Sequence, residues 1–301
     1  MTACSPVGAP VSGLGQALGS HKPKSHEPGF PKSGFHRWVT QEPDIPFDLP
    51  VLYEDSRIIV VDKPHFLPTT PRGMWFRSTA LIRLREKYGD EAITPAHRLD
   101  RMTAGVVVFV RDPRYRRDYQ LLFQNRQARK KYVCLAPAKP VVRPALGTLF
   151  PLIDDQSGLR LSCPDDRRLF FPLIRSSHIT KTRGVLQACE EADKPNAVTI
   201  IRLSADQPRG QTLEKGLRSY DLFPRTGKTH QLRVHMNSLG LPIVGDPLYP
   251  EILPEAAYDD FSDPLRLVAQ ELDFADPVSG QDFHFRSHWT VTDPVPAERS
   301  S

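Results

Sequence analysis

Short runs of β-branched and apolar residues recur along most of this chain, and many are separated by too few residues to hold a helix. Val51–Tyr53 and Arg57–Val61 are the first two such runs, with three residues between them. Gly105–Val110 is a continuous apolar run, which predicts a strand buried on both faces. Because parallel strands need a long crossover connection, this spacing predicts an α+β fold around a largely antiparallel central sheet.

Helices and loops are expected to flank this sheet. Further strands are predicted at 132–136, 197–203, 217–223, 264–272 and 282–285, and helices at 78–88, 112–126 and 229–239. Ser78 is a suitable N-cap for the first of these helices, and Gly89 a suitable stop. Gly240 is expected to end the last helix, since glycine readily adopts the left-handed backbone conformation found there.

The beginning of the chain differs from the rest in composition. Its first fifty residues hold eight Pro and six Gly. Such a segment buries too little apolar surface to offset the entropy lost on ordering. We therefore expect residues 1–45 to form a disordered or extended tail and residues 46–295 to form one folded domain.

The composition excludes several classes of protein. Charged residues make up 25% of the 301 positions, and the longest clean apolar run, Val106–Val110, is far too short to cross a membrane. No secretory signal is recognisable at the start. The four cysteines are widely scattered without a C-x-x-C pair, which indicates neither a zinc site nor a disulfide framework. We expect a cytoplasmic protein without a membrane partner, metal or cofactor.

Positive charge is concentrated in one segment. Eight basic residues lie between Arg111 and Lys131, against Asp112 and Asp118. Such a cluster suits contacts with the phosphates of a nucleic acid. A solvated helix face explains the same pattern equally well, because Arg and Lys are common on exposed helices.

A carboxylate flanked by arginines precedes the apolar strand. Asp100 lies between Arg98 and Arg101, and in an extended segment Arg98 and Asp100 point to one face while Leu99 points to the other. Nearby guanidinium groups favour an ionised Asp100, which could act as nucleophile or base. From these residues alone, a surface ion pair at the start of a strand is the better interpretation.

A second segment with chemical potential runs from Arg225 to Met236. A Thr-Gly turn opens a helix, and the free N–H groups at a helix N-terminus attract anions. Arg233 could reach a carboxylate or a phosphate from this helix. An ordinary capped surface helix is the alternative, and the five-residue spacing of His230 and His235 does not favour a metal pair.

These segments together resemble the RluA-type family of pseudouridine synthases. The matching motifs are Val-Val-Asp-Lys-Pro at 60–64, His-Arg-Leu-Asp at 97–100, Lys-Lys-Tyr at 130–132, Arg-Thr-Gly-Lys-Thr-His-Gln-Leu-Arg-Val-His at 225–235 and Pro-Ile-Val-Gly-Asp-x-x-Tyr at 242–249. They occur in the family's order, and the resemblance covers about residues 49–290. It implies the pseudouridine synthase catalytic fold for the domain at 46–295.

The resemblance also implies roles for individual residues. Asp100 corresponds to the catalytic aspartate, acting as nucleophile or base, and Tyr132 to the tyrosine that packs against the target base. Arg233 corresponds to the basic residue that pairs with this aspartate. The implied substrate-binding residues are Arg98, which holds the flipped-out nucleotide or fills the gap it leaves, Leu232 as an aliphatic wall, Arg225 and Lys228 on phosphates, and His230.

The implied reaction is the isomerisation of uridine to pseudouridine in ribosomal or transfer RNA, by a protein that is expected to act as a monomer. No metal or cofactor is needed, because bonds break and form within one nucleotide. An inactive RNA-binding protein of the same fold is one alternative. A hydrolase is another, with Glu54, Asp55 or Asp246 as its second carboxylate.

Overall fold

The structure is a computed structural model that describes residues 42–155, 158–161, 169–207 and 216–292. Residues 1–41 of the predicted tail lie outside the described residues. The strands are β1 (Val51–Glu54), β2 (Ile58–Lys63), β3 (Thr94–Pro95), β4 (Ala104–Val110), β5 (Arg129–Pro137), β6 (Thr148–Asp155), β7 (Gly158–Leu161), β8 (Leu173–Thr180), β9 (Cys189–Glu191), β10 (Ala197–Leu203), β11 (Leu217–Pro224), β12 (Leu267–Ala275) and β13 (Asp282–Arg286). The helices within the same residues are α1 (Ala80–Tyr88), α2 (Arg116–Gln124) and α3 (Gln231–Ser238).

The strands form one mixed sheet in the order β1-β2-β4-β12-β5-β11-β10-β8-β6-β7. β13 pairs with β12, β3 with β4, and β9 with β8. Among the described residues, β4 and β12 form the one parallel pair, and the other pairs are antiparallel. The predicted, largely antiparallel sheet is confirmed.

The strand β4 is buried along its whole length, as its unbroken apolar sequence predicted. Val107 and Phe109 pack in one core cluster, whereas Val106 and Val108 pack in another, so both faces of the strand are covered. Gly105 has φ of +117°, and a Cβ atom there would clash with the backbone carbonyl of Ala269. Glycine is therefore required where β4 meets β12.

The first helix begins one residue later than its predicted cap. Thr79 is the N-cap, and its hydroxyl accepts a hydrogen bond from Ile82 N at 3.3 Å. Ser78, the predicted cap, instead donates its hydroxyl to Pro43 O at 3.0 Å. Gly89 ends the helix in the left-handed conformation, as predicted.

The other two helices are shorter than predicted. The segment expected at 112–126 begins with a 3-10 turn at Pro113–Tyr115, capped by Asp112, and α2 follows it. The segment expected from Thr229 becomes helical only at Gln231, because His230 adopts a left-handed φ of 57°. Gly240, with φ of 74°, follows the last helical turn, as predicted. In the described part of the chain, no helix combines the length and apolarity needed to span a membrane.

Candidate active site

Seven of the eight predicted site residues line one cavity of about 470 Å³. The segment before β4, the strand β5 and the turn before α3 supply its walls. The seven residues are Arg98, Asp100, Tyr132, Lys228, His230, Leu232 and Arg233. We call this cavity the Asp100 cavity. Arg225 is exposed and does not line it, so the predicted phosphate contact of Arg225 would lie outside the Asp100 cavity.

Asp100 is positioned by its buried neighbour Leu99. The Leu99 N–H donates to Thr69 Oγ1 at 3.1 Å, and the Thr69 hydroxyl donates to Leu99 O at 2.9 Å. Leu99 packs in the core while Asp100 faces the cavity, as the extended pattern predicted. Within the described residues no cation forms an ion pair with Asp100, and its carboxylate is not sealed from solvent. The expected pairing with a flanking arginine is therefore wrong.

A buried lysine holds the same segment from the other side. Lys63, the last residue of β2, donates its ammonium group to Leu67 O at 2.7 Å, Pro64 O at 2.9 Å and Arg101 O at 3.3 Å. Burial lowers the pKa of Lys63 to about 7, although the nearby charge of Asp100 opposes the shift. The contact with Arg101 O ties the residue after Asp100 to the end of β2.

Tyr132 enters the cavity from β5, between the two neighbouring strands. It pairs with Leu222 of β11 and with Ala269 of β12. Burial, with the negative charge of Asp100 added to it, raises the pKa of the Tyr132 phenol. The phenol therefore stays protonated at neutral pH and can donate a hydrogen bond.

Arg233 is held by a different carboxylate from the one expected. Its Nε and Nη2 atoms bind the Asp246 carboxylate at 2.8 and 2.5 Å. Burial alone would lower the pKa of Arg233, but the hydrogen bonds and charge of Asp246, together with the charge of Asp100, raise it. The predicted ion pair with Asp100 is therefore corrected to one with Asp246, and Asp100 acts on Arg233 only through its nearby charge.

Gln231 fixes the turn that carries Lys228 and His230. Its Oε1 atom accepts hydrogen bonds from the Thr226 hydroxyl at 2.7 Å and from Lys228 N at 3.1 Å. Its Nε2 atom donates to Val198 O and to Thr199 Oγ1, both at 3.0 Å. The turn is thereby anchored to β10, which keeps the lining of the cavity in place.

His230 stands between two cavities. A second cavity of about 670 Å³ shares Arg98, Asp100, His230 and Arg233 with the first. Burial lowers the pKa of His230 to about 4, so its imidazole is neutral at neutral pH. Its Nδ1 atom lies 3.2 Å from the hydroxyl of Tyr249.

The carboxylates considered for a hydrolase are engaged elsewhere. Asp246 is bound to Arg233 and also accepts hydrogen bonds from the backbone of Leu248 and Tyr249. Asp55 caps the turn between β1 and β2 by accepting from Arg57 N and Ile58 N, each at 2.7 Å. Neither Asp55 nor Glu54 lines either cavity. None of these three carboxylates is therefore placed to serve as the second carboxylate of a glycosidase beside Asp100.

The basic segment at 111–131 is only partly available to a nucleic acid. Arg114 pairs with Asp112 at 2.6 Å, and Lys131 pairs with Asp221 and Glu271. Arg117, Arg126 and Arg129 are exposed, and no described residue forms an ion pair with them. The paired members are engaged within the protein, and the exposed members fit a phosphate contact and a solvated face equally well.

Sequence reasoning missed the residues that support the site. Lys63, Gln231 and Tyr249 stand inside motifs of the resemblance, but each also makes a contact with a residue distant in sequence, which no local pattern predicts. The sequence places Asp246 in a motif and offers it as a hydrolase carboxylate, but it does not predict the pairing of Asp246 with Arg233. Of the described residues, no group of three or more His, Cys, Asp or Glu is arranged to hold a metal ion.

Comparison with known proteins identifies the family of this chain. The family model described as RNA pseudouridylate synthase matches residues 57–238. The dual-specificity RNA pseudouridine synthase RluA of Pasteurella multocida is 31% identical over 77% of this chain and 89% of its own length. An uncharacterized RNA pseudouridine synthase of Synechocystis is 30% identical over 70% of this chain, which spans only 61% of that relative.

A solved structure supports the fold. The human RNA pseudouridylate synthase domain containing 1 aligns with a TM-score of 0.50 over 82% of this chain and 86% of its own, at 20% identity. The chain therefore belongs to the RluA-type family of RNA pseudouridine synthases, which are isomerases.

Proposed function

We propose that this protein converts specific uridines of ribosomal or transfer RNA to pseudouridine, with Asp100 as the reacting carboxylate. The bond between N1 of uracil and C1′ of the ribose breaks, and a bond between C5 and C1′ forms. The C5 proton leaves to solvent and N1 gains a proton, so the product is an isomer of the substrate. The observation that carries this proposal is the open Asp100 carboxylate in one cavity with Tyr132 and Arg233.

The environment of Asp100 suits this reaction. The fixed positive charge of Arg233 lies near the Asp100 carboxylate, which is the group that would attack the sugar or the ring or remove the 2′ proton. Tyr132 keeps its proton and presents a flat ring on which the uracil can stack. Leu232 supplies an apolar wall beside these polar groups.

The target nucleotide must leave its stack to enter the cavity. Flipping a base costs a few kcal/mol, and contacts to phosphates can offset this cost. Arg98 and Lys228 are both exposed at the cavity and can supply such contacts. We place Arg98 beside the flipped-out nucleotide and the protein, as a monomer, in the cytoplasm.

An inactive RNA-binding protein of the same fold is the competing proposal. It requires the cationic surface but not the constellation around Asp100. The combination of an open carboxylate, a protonated phenol and a buried guanidinium favours catalysis, since a binding protein gains nothing from it.

Mapping of pseudouridine in total RNA tests the proposal. The map is compared between cells with and without this chain, and between cells complemented with the wild type or with Asp100→Asn. We expect one or more uridines to lose their modification without the chain and to regain it only with the wild type. Identical maps with and without the chain would overturn the activity. Full restoration by Asp100→Asn would overturn the role of Asp100.

A further inference from the structure

His230 has a backbone conformation that a histidine rarely adopts. Its φ of 57° lies in the left-handed region, directly before α3, and its side chain forms no cap of that helix. Such strain in a non-glycine residue persists where the surrounding structure enforces it, often at functional sites. The conformation places the imidazole in the lining of both cavities, near the charge of Asp100.

The hydrogen bonds of Tyr249 determine which ring nitrogen of His230 carries the proton. The Tyr249 hydroxyl accepts from Ala188 N at 2.7 Å and lies 2.8 Å from Ala188 O. A hydroxyl has one proton, and if it pointed to His230, two oxygen acceptors would face each other at 2.8 Å. The proton therefore goes to Ala188 O, and His230 Nδ1–H donates to the Tyr249 oxygen at 3.2 Å.

The other nitrogen, Nε2, is then an acceptor with a free lone pair. No described residue forms a hydrogen bond with it, and it is not among the sealed, unpartnered atoms of the described part of the chain. Burial lowers the pKa of His230 to about 4; Asp100 and Asp246 oppose this shift, whereas Arg233 and Lys181 favour it. At neutral pH the lone pair thus faces the cavity unprotonated.

We propose that Nε2 of His230 accepts a hydrogen bond from N3–H of the target uracil and thereby selects uridine over cytidine. The inference rests on the proposed function. Attached to its sugar, uracil has a single N–H donor, at N3, whereas cytosine carries an acceptor at the same position. Apart from the reacting carboxylate of Asp100, the charged groups shared by the two cavities are the donors Arg98 and Arg233. A neutral acceptor beside them matches uracil and opposes cytosine.

The same contact suits the rearrangement of the base. Exchange of N1 for C5 at the sugar corresponds to a half-turn of the uracil ring about the line through N3 and C6. N3–H lies on this line, so its hydrogen bond to His230 is kept before and after the turn. The two carbonyl groups exchange places, so donors that bind one can bind the other afterwards. His230 thus acts as a specificity-determining residue and as the pivot of the detached base.

Nitrogen-detected NMR of the full-length, RNA-free protein tests the tautomer. Two-bond correlations distinguish protonated from unprotonated ring nitrogens, and the signals of His230 are those that vanish in His230→Asn. We expect a proton on Nδ1 and none on Nε2 at pH 7. A proton on Nε2 would overturn the proposal, whether or not the protein modifies RNA.

Binding of matched RNAs tests the contact itself. Stem–loop RNAs contain the uridine found by mapping, or cytidine or 2′-deoxyuridine in its place, and binding is measured in the Asp100→Asn protein to prevent turnover. His230→Asn retains a side chain that tolerates the left-handed turn but has no acceptor at the Nε2 position. We expect it to reduce the preference for uridine over cytidine roughly fivefold to tenfold.

The 2′-deoxyuridine RNA separates the base from the sugar as the partner of His230. We expect His230→Asn to weaken binding of this RNA as much as binding of the uridine RNA. An unchanged preference for uridine over cytidine would overturn the proposal. So would an effect of His230→Asn that disappears without the 2′-hydroxyl, since Nε2 would then bind the sugar. Failure of the protein to modify any RNA would instead refute the proposed function. The tautomer of His230 would still be decided by the NMR measurement.

Discussion

Asp100 and Arg233 are neighbouring charges in one cavity, but they are held in different ways. Arg233 is locked by two hydrogen bonds to Asp246 in the protein interior. No described residue forms a hydrogen bond with the Asp100 carboxylate, and the backbone of its segment is held by Thr69 and Lys63. Because Asp246 already binds Arg233, the oxygens of Asp100 are left available to the nucleotide.

Removing the charge of Asp246 should therefore lower the stability of the folded protein. In Asp246→Asn the buried guanidinium of Arg233 loses its compensating charge, and we expect a loss of about 3–5 kcal/mol of unfolding free energy. Urea unfolding followed by circular dichroism measures the change. Asp282→Asn is the matched control, because Asp282 is exposed. Equal stability of Asp246→Asn and the wild type would contradict the buried pair.

Loss of the Lys63 ammonium should affect the catalytic segment more than RNA binding. Lys63→Met keeps an unbranched chain of similar length but removes the donors to Leu67 O and Arg101 O. We expect a lower kcat for C5-tritium release with a KM close to that of the wild type. An unchanged kcat would show that this contact does not position Asp100.

At the scale of elements, the strands were more predictable than the ends of helices. β4 and β10 follow from their apolar runs, because burial of such a run decides its conformation. The start of α3 could not be predicted, since His230 is held in a left-handed conformation by the tertiary fold. Similarly, the resemblance identified Arg233, but its partner Asp246 becomes visible only when the loop after α3 folds back.

The close approach of the paired strands β4 and β12 at Gly105 can be tested by mutation. Gly105→Ala would place a methyl group against the Ala269 carbonyl at a φ unfavourable for alanine. We expect a large loss of stability or insoluble protein, because the two strands must separate. Gly227→Ala is the control, since nothing lies within 4 Å of a Cβ atom there. Thermal unfolding compares the two, and equal melting temperatures would contradict the close approach.

At the scale of the whole molecule, the net charge of +5 says little about where RNA lies. Ion pairs neutralise part of the basic segment, and its exposed members without an ion pair in the described part of the chain lie on α2, in the turn after it and at the start of β5. Arg117 lies on the same helix face as Gln120 and Gln124, which line the Asp100 cavity. This placement extends the cavity with a cation suited to a phosphate.

The salt dependence of RNA binding should distinguish Arg117 from the basic residues that already form ion pairs. We expect Arg117→Ala to reduce the slope of log affinity against log salt concentration by about 1. Arg114→Ala is the control, because Asp112 already pairs with Arg114. Binding at several salt concentrations measures both slopes. Equal slopes in the two variants would contradict the assignment of Arg117 to the RNA surface.

Acid should destabilise the fold through its buried histidines. Burial lowers the pKa of His65 and His230 to about 4 and that of His235 to about 3. Between these values and about 6.5, the unfolded state binds more protons, so stability is lost as the pH falls through this window. We expect the urea midpoint to decrease steadily from pH 7 to pH 4.5, and a constant midpoint would contradict these buried neutral rings.

The central claim is that the Asp100 carboxylate carries out the isomerisation. Release of tritium from C5 of uridine, measured in a single turnover on the RNA identified by mapping, tests it most directly. We expect release by the wild type and by Asp118→Asn, whose carboxylate is exposed on α2. We expect none by Asp100→Asn, although this variant still binds the RNA. Release by Asp100→Asn at the rate of the wild type would show that another group carries out the reaction.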